Sequence, residues 1–292
     1  MDLISVTGLR AARERADLAL APGETLLAGG TWLFSEPQPV TGLVDLTTLG
    51  WPDWEELPGI LRIGATCTVE RVLQAPWGEA AGLARQCADA LLMSVKVQHV
   101  ATVGGNVCLA LPAAATVSLA SALDATVLVW TPDGGERREP VASFVTGAGT
   151  TTLRPGEVLR AIDVPLPALT MPHAFRRASL ARHGRSSAVV TGSGDRVVVT
   201  ASTTRPVVLD RHDLDSDLAG QQAGDVGAPS TRTEQAPQSP VSQPFLTSRC
   251  PAPRRNVRRH WPGPGVASTG VPLTLMPRAP RAPRRPRGPA RR

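Results

Sequence analysis

The sequence predicts an α+β protein whose character changes near residue 210, and three observations lead to this prediction. Apolar, strand-like runs alternate with alanine-rich amphipathic segments over the first 210 residues. The turn Pro-Asp-Gly-Gly at residues 132–135 separates a β-branched run from a polar run, which is the pattern of a hairpin. Beyond about Asp210 the chain becomes rich in Gly, Gln, Ser, Pro and Arg, so little of it can build a core.

The elements follow in order. Residues 9–20 (LRAARERADLAL) predict a short helix. Residues 25–34 (TLLAGGTWLF) read as a strand that glycines interrupt, and residues 42–49 (GLVDLTTL) as a second strand. Residues 59–74 run from a strand through Gly64 into a helix, with Thr66 or Thr68 as its N-cap. Residues 78–92 are helical by composition, residues 156–167 form a strand after the hairpin, and a smaller α+β unit begins near Ala174.

Composition limits the classes of function. The chain of 292 residues carries a formal charge of +6, but its last 44 residues contain twelve Arg and no acidic residue, so the rest nets −6. A mildly acidic main body argues against nucleic acid as the principal ligand. The four cysteines, Cys67, Cys87, Cys108 and Cys250, form no CxxC pair, so the sequence encodes no zinc or iron–sulfur motif. With no signal-like or membrane-spanning segment, we expect a soluble cytoplasmic protein without membrane insertion.

Two glycine pairs carry the strongest functional signal. In LLAGGTW (residues 26–32) and ATVGGNV (residues 101–107), each pair follows an apolar run and precedes a small polar residue, Thr31 or Asn106. Glycine permits positive φ and close backbone approach, so consecutive N–H groups can form a concave nest for an anion such as a pyrophosphate. Each motif alone is more often a structural turn, and the Walker and Rossmann patterns do not fit the chain.

Several blocks in sequence order resemble the flavin-binding subunit of molybdenum hydroxylases, the family of xanthine dehydrogenase and carbon monoxide dehydrogenase flavoproteins. They are LLAGGTWLF, LRIGATCTVERV, HVATVGGNVCLALPAA, GEVLRAIDVPLP and AFRRASLARHGRSSAVV, and they cover roughly residues 1–208. The resemblance implies an FAD-binding domain of the vanillyl-alcohol-oxidase (PCMH) type at residues 1–168, with subdomains of about 1–55 and 56–168. A truncated α+β C-terminal domain would occupy residues 172–210, and a mostly disordered Pro/Arg-rich tail residues 211–292.

The resemblance also implies the site residues. Two loops would wrap the FAD pyrophosphate and ribityl chain through backbone N–H groups, while other residues lie in the strand that closes over the flavin or supply a nearby cation. The first loop is Leu27, Ala28, Gly29, Gly30, Thr31 and Trp32; the second is Thr102, Gly104, Gly105 and Asn106; the strand residues are Leu159 and Ile162; and the cation is Arg177. Where the family has a serine and an acidic residue, this chain has Leu111 and Ala115.

The implied activity is that of an oxidoreductase subunit with no catalytic acid, base or nucleophile and no metal ligands of its own. FAD would pass electrons from [2Fe–2S] clusters of a small subunit to a terminal acceptor that the sequence does not identify. A large subunit with a molybdopterin cofactor would hydroxylate the substrate. The first alternative is a degenerate or frameshifted homologue that binds FAD weakly or not at all. The second is a stand-alone FAD oxidase of the related vanillyl-alcohol-oxidase type, which would need a substrate pocket of its own. We favour loss of the reading frame as the origin of the tail, because out-of-frame GC-rich sequence yields such Pro/Arg/Ala/Gly text.

Overall fold

A computed structural model describes residues 4–35, 37–181 and 184–214 of the chain. The tail predicted from its composition lies almost wholly outside these residues, as does the proposed loss of frame. The strands are β1 Gly8–Ala11, β2 Glu24–Leu27, β3 Gly42–Asp45, β4 Trp54–Leu57, β5 Ile60–Gly64, β6 Thr126–Trp130, β7 Glu136–Pro140, β8 Val145–Gly147, β9 Thr150–Thr151, β10 Val158–Pro165, β11 His173–Ser179, β12 Ser186–Ser193, β13 Arg196–Thr200 and β14 Val207–Asp210.

The α-helices are short and come after β5 along the chain. They are α1 Val69–Val72, α2 Ala81–Ala90, α3 Val95–Gln98, α4 Val103–Leu109, α5 Ala115–Ala122 and α6 Val141–Phe144. Short 3-10 helices cover Arg15–Leu18, Thr47–Leu49, Gly78–Ala80 and Leu166–Thr170. No helix in the described part of the chain is long and apolar enough to cross a membrane.

Three larger sheets organise these elements. The first is parallel, with strand order β1-β3-β2, and the second is antiparallel, with order β4-β5-β10-β6-β7. The third is an antiparallel meander, β11-β12-β13-β14, and β8 pairs with β9 in a small hairpin. The α+β prediction is confirmed, and so is the hairpin, whose strands β6 and β7 flank the predicted turn.

The predicted helix at residues 9–20 is wrong. Residues Gly8–Ala11 form an edge strand, because Leu9 and Arg10 pair in parallel register with Leu43 and Val44 of β3. Only Arg15–Leu18 becomes helical, as a single 3-10 turn. Pairing with a strand more than thirty residues away in sequence overrides the local helical preference of this Ala- and Arg-rich segment. The predicted helices at α1 and α2 are confirmed, and Thr68 is the N-cap whose hydroxyl accepts from the Arg71 N–H.

Helix α5 lies at the centre of the packing. All eight of its residues are buried, and it contacts α2, α4 and α6 as well as strands β12 and β13 of the third sheet. Small side chains let the sheet approach closely enough for the Ser118 hydroxyl to lie 2.8 Å from the Thr200 hydroxyl, while Arg196 Nε donates to the Ser121 carbonyl at 2.8 Å. The third sheet is therefore docked on α5 through a buried polar contact as well as apolar packing.

This docking predicts an energetic coupling between Ser118 and Thr200. Thr200→Val removes the buried hydrogen bond between the two hydroxyls and should lose about 1 kcal/mol of unfolding free energy. Ser118→Ala also removes the bond that the Ser118 hydroxyl donates to the Ala114 carbonyl at 3.1 Å, so it should lose about 2 kcal/mol. The double variant should cost less than the sum of the two, since the shared bond is lost only once. Urea unfolding of the parent, the two single variants and the double variant measures the coupling free energy. Strictly additive losses would contradict the contact.

Candidate functional site

The first glycine loop leaves β2 after Leu27 and carries free hydrogen-bond donors. The backbone N–H groups of Gly29, Gly30, Thr31 and Trp32 have no acceptor among the described residues. Gly30 has φ of 65°, a conformation that favours glycine. Residues 27–30 of the loop are half-buried, and Thr31 and Trp32 are exposed. Four consecutive free donors around a left-handed residue are the components of an anion-binding nest.

The second glycine motif differs from the prediction. It is not a tight turn after a strand: Gly104 and Gly105 lie in the first turn of α4, whose N-cap is Thr102. The apolar run before it is the helix α3 rather than a strand, because the Ser94 hydroxyl caps that segment by accepting from the Val97 N–H. Hydroxyl caps at Ser94 and Thr102 thus turn an apolar stretch into two successive short helices.

The N–H groups from Val103 to Asn106 in the second motif are already engaged. Val103 N–H donates to the Cys67 carbonyl and Gly104 N–H to the Ala65 carbonyl, each at 2.8 Å. The Gly105 N–H donates to the Thr102 hydroxyl at 3.1 Å. The second motif therefore does not form the predicted nest, and any part it takes in binding must come from its shape or its side chains.

Shape explains why this motif needs glycine. A Cβ atom at Gly104 would lie 2.6 Å from the Ala65 Cβ and 2.8 Å from the Ala65 carbonyl oxygen. In the first loop, a Cβ at Gly29 would lie 2.0 Å from the Val100 carbonyl oxygen, immediately before the second motif. Both contacts are with backbone that cannot swing away, so the two motifs, far apart in sequence, lie against each other in the fold.

The residues that follow the second motif serve packing. The Asn106 side-chain oxygen accepts from the Thr116 N–H at 2.9 Å and so caps α5, whose own N-cap residue, Ala114, has no side chain able to do so. Ala115 is 5% exposed and lines an apolar cavity of about 30 Å³. Leu111 packs against the main core. At the two positions where the resemblance expects polar groups, this chain has apolar contacts.

Two further predicted site residues lie in the core. Leu159 and Ile162 on β10 are 4% and 2% exposed, and both belong to the main hydrophobic cluster. Ile162 pairs with Ile63 of β5, and Ala161 pairs with Gly64. Their side chains face the helices, so the structure does not bring them to the glycine loops. Simple alternation would place these two residues, three positions apart, on opposite faces; the shift of register between Leu159 and Ala161 brings both to the helix-covered face.

Arg177 forms hydrogen bonds within the third sheet. Its Nε donates to the Ser186 hydroxyl at 2.9 Å and its Nη2 donates to the Gly184 carbonyl. Ser186 in turn donates to the Ala90 carbonyl, 2.8 Å away at the end of α2. The structure therefore shows Arg177 joining the β11–β12 hairpin to α2, and its predicted contact with a cofactor stays a prediction.

The backbone carbonyls that hold the second motif in place could not be predicted from the sequence. The carbonyls of Ala65 and Cys67 accept its N–H groups, and Val69 N–H donates to the Ala101 carbonyl at 2.8 Å, so residues 65–69 and 101–104 pair as a short antiparallel ladder. Backbone carbonyls leave no side-chain signature. The available signal was that both segments contain a threonine cap, Thr68 and Thr102, and these two residues form the bridge between them.

Cys108 follows the second glycine pair on α4. Burial raises the pKa of the Cys108 thiol to about 12, which keeps it protonated at neutral pH. No group of three or more His, Cys, Asp or Glu side chains in the described ranges is arranged to hold a metal ion.

Comparison with known proteins identifies the family of the chain. Residues 9–167 match the family model for the FAD-binding domain in molybdopterin dehydrogenase. The chain is 30% identical over 159 residues to the putative xanthine dehydrogenase FAD-binding subunit XdhB of Escherichia coli strain K12. That match covers 51% of this chain and 52% of the relative, so the chain spans about half the length of the curated protein it matches.

Solved structures share the fold. Quinoline 2-oxidoreductase from Pseudomonas putida 86 superposes with a TM-score of 0.62 at 23% identity, over 71% of this chain and 78% of that one. Reconstituted CO dehydrogenase from Oligotropha carboxidovorans gives a TM-score of 0.61 at 24% identity, over 80% and 91%. At these identities the likeness speaks for the fold alone.

The family model over residues 9–167 identifies the class of protein as a flavoprotein FAD-binding domain, and the fold agrees with it. Because the family model covers more than half of it, the chain belongs to the FAD-binding domains of molybdopterin dehydrogenases, and the predicted cofactor, FAD, is confirmed. The first loop suits that cofactor, since its unengaged N–H groups match the charge of a pyrophosphate.

The close contact at Gly104 predicts a stability difference between two helical glycines. Gly104→Ala forces a Cβ into Ala65 and should cost about 1–3 kcal/mol of unfolding free energy. Gly82→Ala, in α2 with nothing within 4 Å of its added Cβ, should instead stabilise the protein, by about 0.5–1 kcal/mol. Urea titration of both variants measures this, and equal effects would contradict the packing described for α4.

Proposed function

We propose that this chain is the FAD-binding subunit of a molybdenum-containing hydroxylase or dehydrogenase, with the FAD pyrophosphate held on the first glycine loop. The observation that carries the proposal is the run of N–H groups from Gly29 to Trp32 that lack an acceptor within the described residues. A run of free donors beside close-packed backbone suits an anion carried by an extended dinucleotide.

Each predicted site residue has a part in the proposal. Gly29, Gly30, Thr31 and Trp32 donate N–H groups, while Leu27 and Ala28 connect them to β2. Gly105 is exposed and Gly104 lies directly on Ala65, so in our proposal this turn offers a flat surface along which the dinucleotide lies. Thr102 orders that turn as its cap, and the Asn106 side-chain N–H₂ group, which has no acceptor in the described part, is left to donate.

The remaining predicted residues act from behind the site. Leu159 and Ile162 form the apolar wall of β10, which excludes water, and Arg177 fixes the third sheet against α2. When bound, FAD exchanges electrons singly or in pairs, which can link one-electron iron–sulfur centres to a two-electron acceptor. The protein's share is binding, orientation and exclusion of water, and it needs no proton donor of its own.

The relatives support a proposal about partners. Another similar structure is carbon monoxide dehydrogenase from Hydrogenophaga pseudoflava, in a form that lacks the Mo-pyranopterin moiety of its molybdenum cofactor, and XdhB is a putative FAD-binding subunit. We propose by analogy a large molybdopterin-binding subunit and a small [2Fe–2S] subunit as partners, with electrons passing from the clusters through FAD to a terminal acceptor. We place the complex in the cytoplasm, where the free thiols of Cys67, Cys87 and Cys108 stay reduced.

The second candidate is a homologue that has lost FAD. Leu111 and Ala115 favour it, since both make apolar contacts where the family places polar groups, and the N–H groups of α4 are engaged within the protein. The two candidates differ in the absorption spectrum of the purified full-length protein. The proposed function predicts oxidised-flavin bands and release of one FAD per chain on denaturation, whereas a colourless protein that also fails to bind added FAD would support the alternative.

A matched pair of glycine variants tests the location of the pyrophosphate. Gly30 and Gly59 both have positive φ, 65° and 80°, so the backbone strain of alanine should cost about 1–2 kcal/mol of unfolding free energy at either. At Gly30 the added Cβ would also lie 2.5 Å from the Phe34 ring, which must shift, whereas nothing lies within 4 Å at Gly59, so Gly30→Ala should lose more stability. Only Gly30→Ala disturbs the donor loop, and it should weaken FAD binding at least about tenfold, since about 1.4 kcal/mol corresponds to a factor of ten. Titration of flavin fluorescence measures the FAD affinity of the two variants, and equal affinity would place the pyrophosphate elsewhere.

A further inference from the structure

Arg160 occupies an irregular position in β10. Leu159 pairs with Val129 of β6 and Ala161 pairs with Leu128, so Arg160 is the extra residue of a β-bulge. A bulge re-aims the side chain of the inserted residue and bends the strand that carries it. Here the side chain turns away from the helices to the opposite face of the five-stranded sheet, and only 12% of it is exposed.

The guanidinium of Arg160 lies among aromatic rings at the junction of the first two sheets. Its carbon is 4.5 Å from the Trp51 ring centroid and 5.7 Å from that of Trp130, and the two rings meet edge to face at 5.4 Å. Both tryptophans pack on the small cluster that includes Val44 of the first sheet and Val158 of β10. Arg160 is therefore stacked where the two sheets meet.

The charge of this group is poorly compensated. Its nearest carboxylate oxygen, on Glu55, is 3.7 Å from Nη2, and its Nη1 is buried without a hydrogen-bond partner in the described ranges. Burial lowers the pKa of the guanidinium, which stays charged at neutral pH. A buried, weakly paired cation adds little net stability compared with an apolar residue of the same length, so stability alone does not account for it.

The backbone of Arg160 is linked to the second glycine motif. Its carbonyl accepts from the Ala65 N–H at 3.0 Å, and the Ala65 carbonyl accepts from the Gly104 N–H at 2.8 Å. The Ala65 side chain is also the surface on which Gly104 rests. Two hydrogen bonds therefore connect the bulge to the turn that faces the first loop.

We propose that Arg160 is a positioning residue: the cation–π contacts of its guanidinium with Trp51 and Trp130 fix the bulge, which sets Ala65 and through it the α4 turn opposite the donor loop. The consequence for cofactor binding rests on the proposed function, whereas the consequence for the backbone does not. Lys cannot replace Arg here, because a compact ammonium group lacks the planar surface that the guanidinium places on the Trp51 ring.

The test compares Arg160→Met and Arg160→Lys with a control, Arg15→Met, in the full-length chain. Arg15 also stacks on Trp130, at 4.6 Å, but its hydrogen bonds go to the carbonyls of Thr131 and Gly135 in the β6–β7 turn. Amide hydrogen exchange without added FAD is read at Ala65 and Gly104, thermal unfolding gives the stability of each variant, and flavin fluorescence gives FAD affinity.

We expect both Arg160 variants to exchange about tenfold faster at Ala65 and Gly104 with unfolding temperatures close to the parent's, and Arg15→Met to leave these amides unchanged. FAD affinity should fall about tenfold in the Arg160 variants only. Unchanged exchange at both amides in Arg160→Met, or equal acceleration in Arg15→Met, would overturn the proposal. Failure of the parent protein to bind FAD would instead count against the proposed function, and the exchange result would still decide the role of Arg160.

Discussion

The short antiparallel ladder between residues 65–69 and 101–104 is the constraint on which the rest of the site depends. Val69, Val103 and Gly104 each donate one backbone hydrogen bond across it. The ladder ties the end of β5 to the start of α4, and Asn106 then caps α5, the buried helix on which the third sheet docks. Because the ladder leaves no room for a Cβ at Gly104, its spacing is fixed by contact between backbones.

Because of this constraint, the two glycine motifs have different roles. In the first loop glycine gives positive φ and leaves N–H groups free, which suits it to bind an anion. In the second, glycine permits close approach, and the N–H groups are consumed in holding α4. One sequence signature therefore has two physical meanings, and Leu111 and Ala115 belong to the packing side of that division.

Much of the fold could be predicted from the sequence. The strand at β5, the capped helix after Thr68, the alanine-rich α2 and the β6–β7 hairpin all rest on local patterns that survive folding. The strand at Gly8–Ala11 could not be predicted, because it depends on pairing with a distant strand, and neither could the helical state of the second motif, which depends on the Thr102 cap and on carbonyls of Ala65 and Cys67. Family resemblance supplied the candidate site residues, but only the contacts could separate free donors from engaged ones.

Amide hydrogen exchange with and without FAD tests the central claim most directly, because the claim concerns particular N–H groups. The account predicts that the amides of Gly29 to Trp32 exchange fast in the free protein and slow markedly when FAD is added. It also predicts that Val103 and Gly104, already hydrogen-bonded at 2.8 Å, exchange slowly in both states. Protection by FAD that falls on Val103 and Gly104 while residues 29–32 remain unchanged would contradict it.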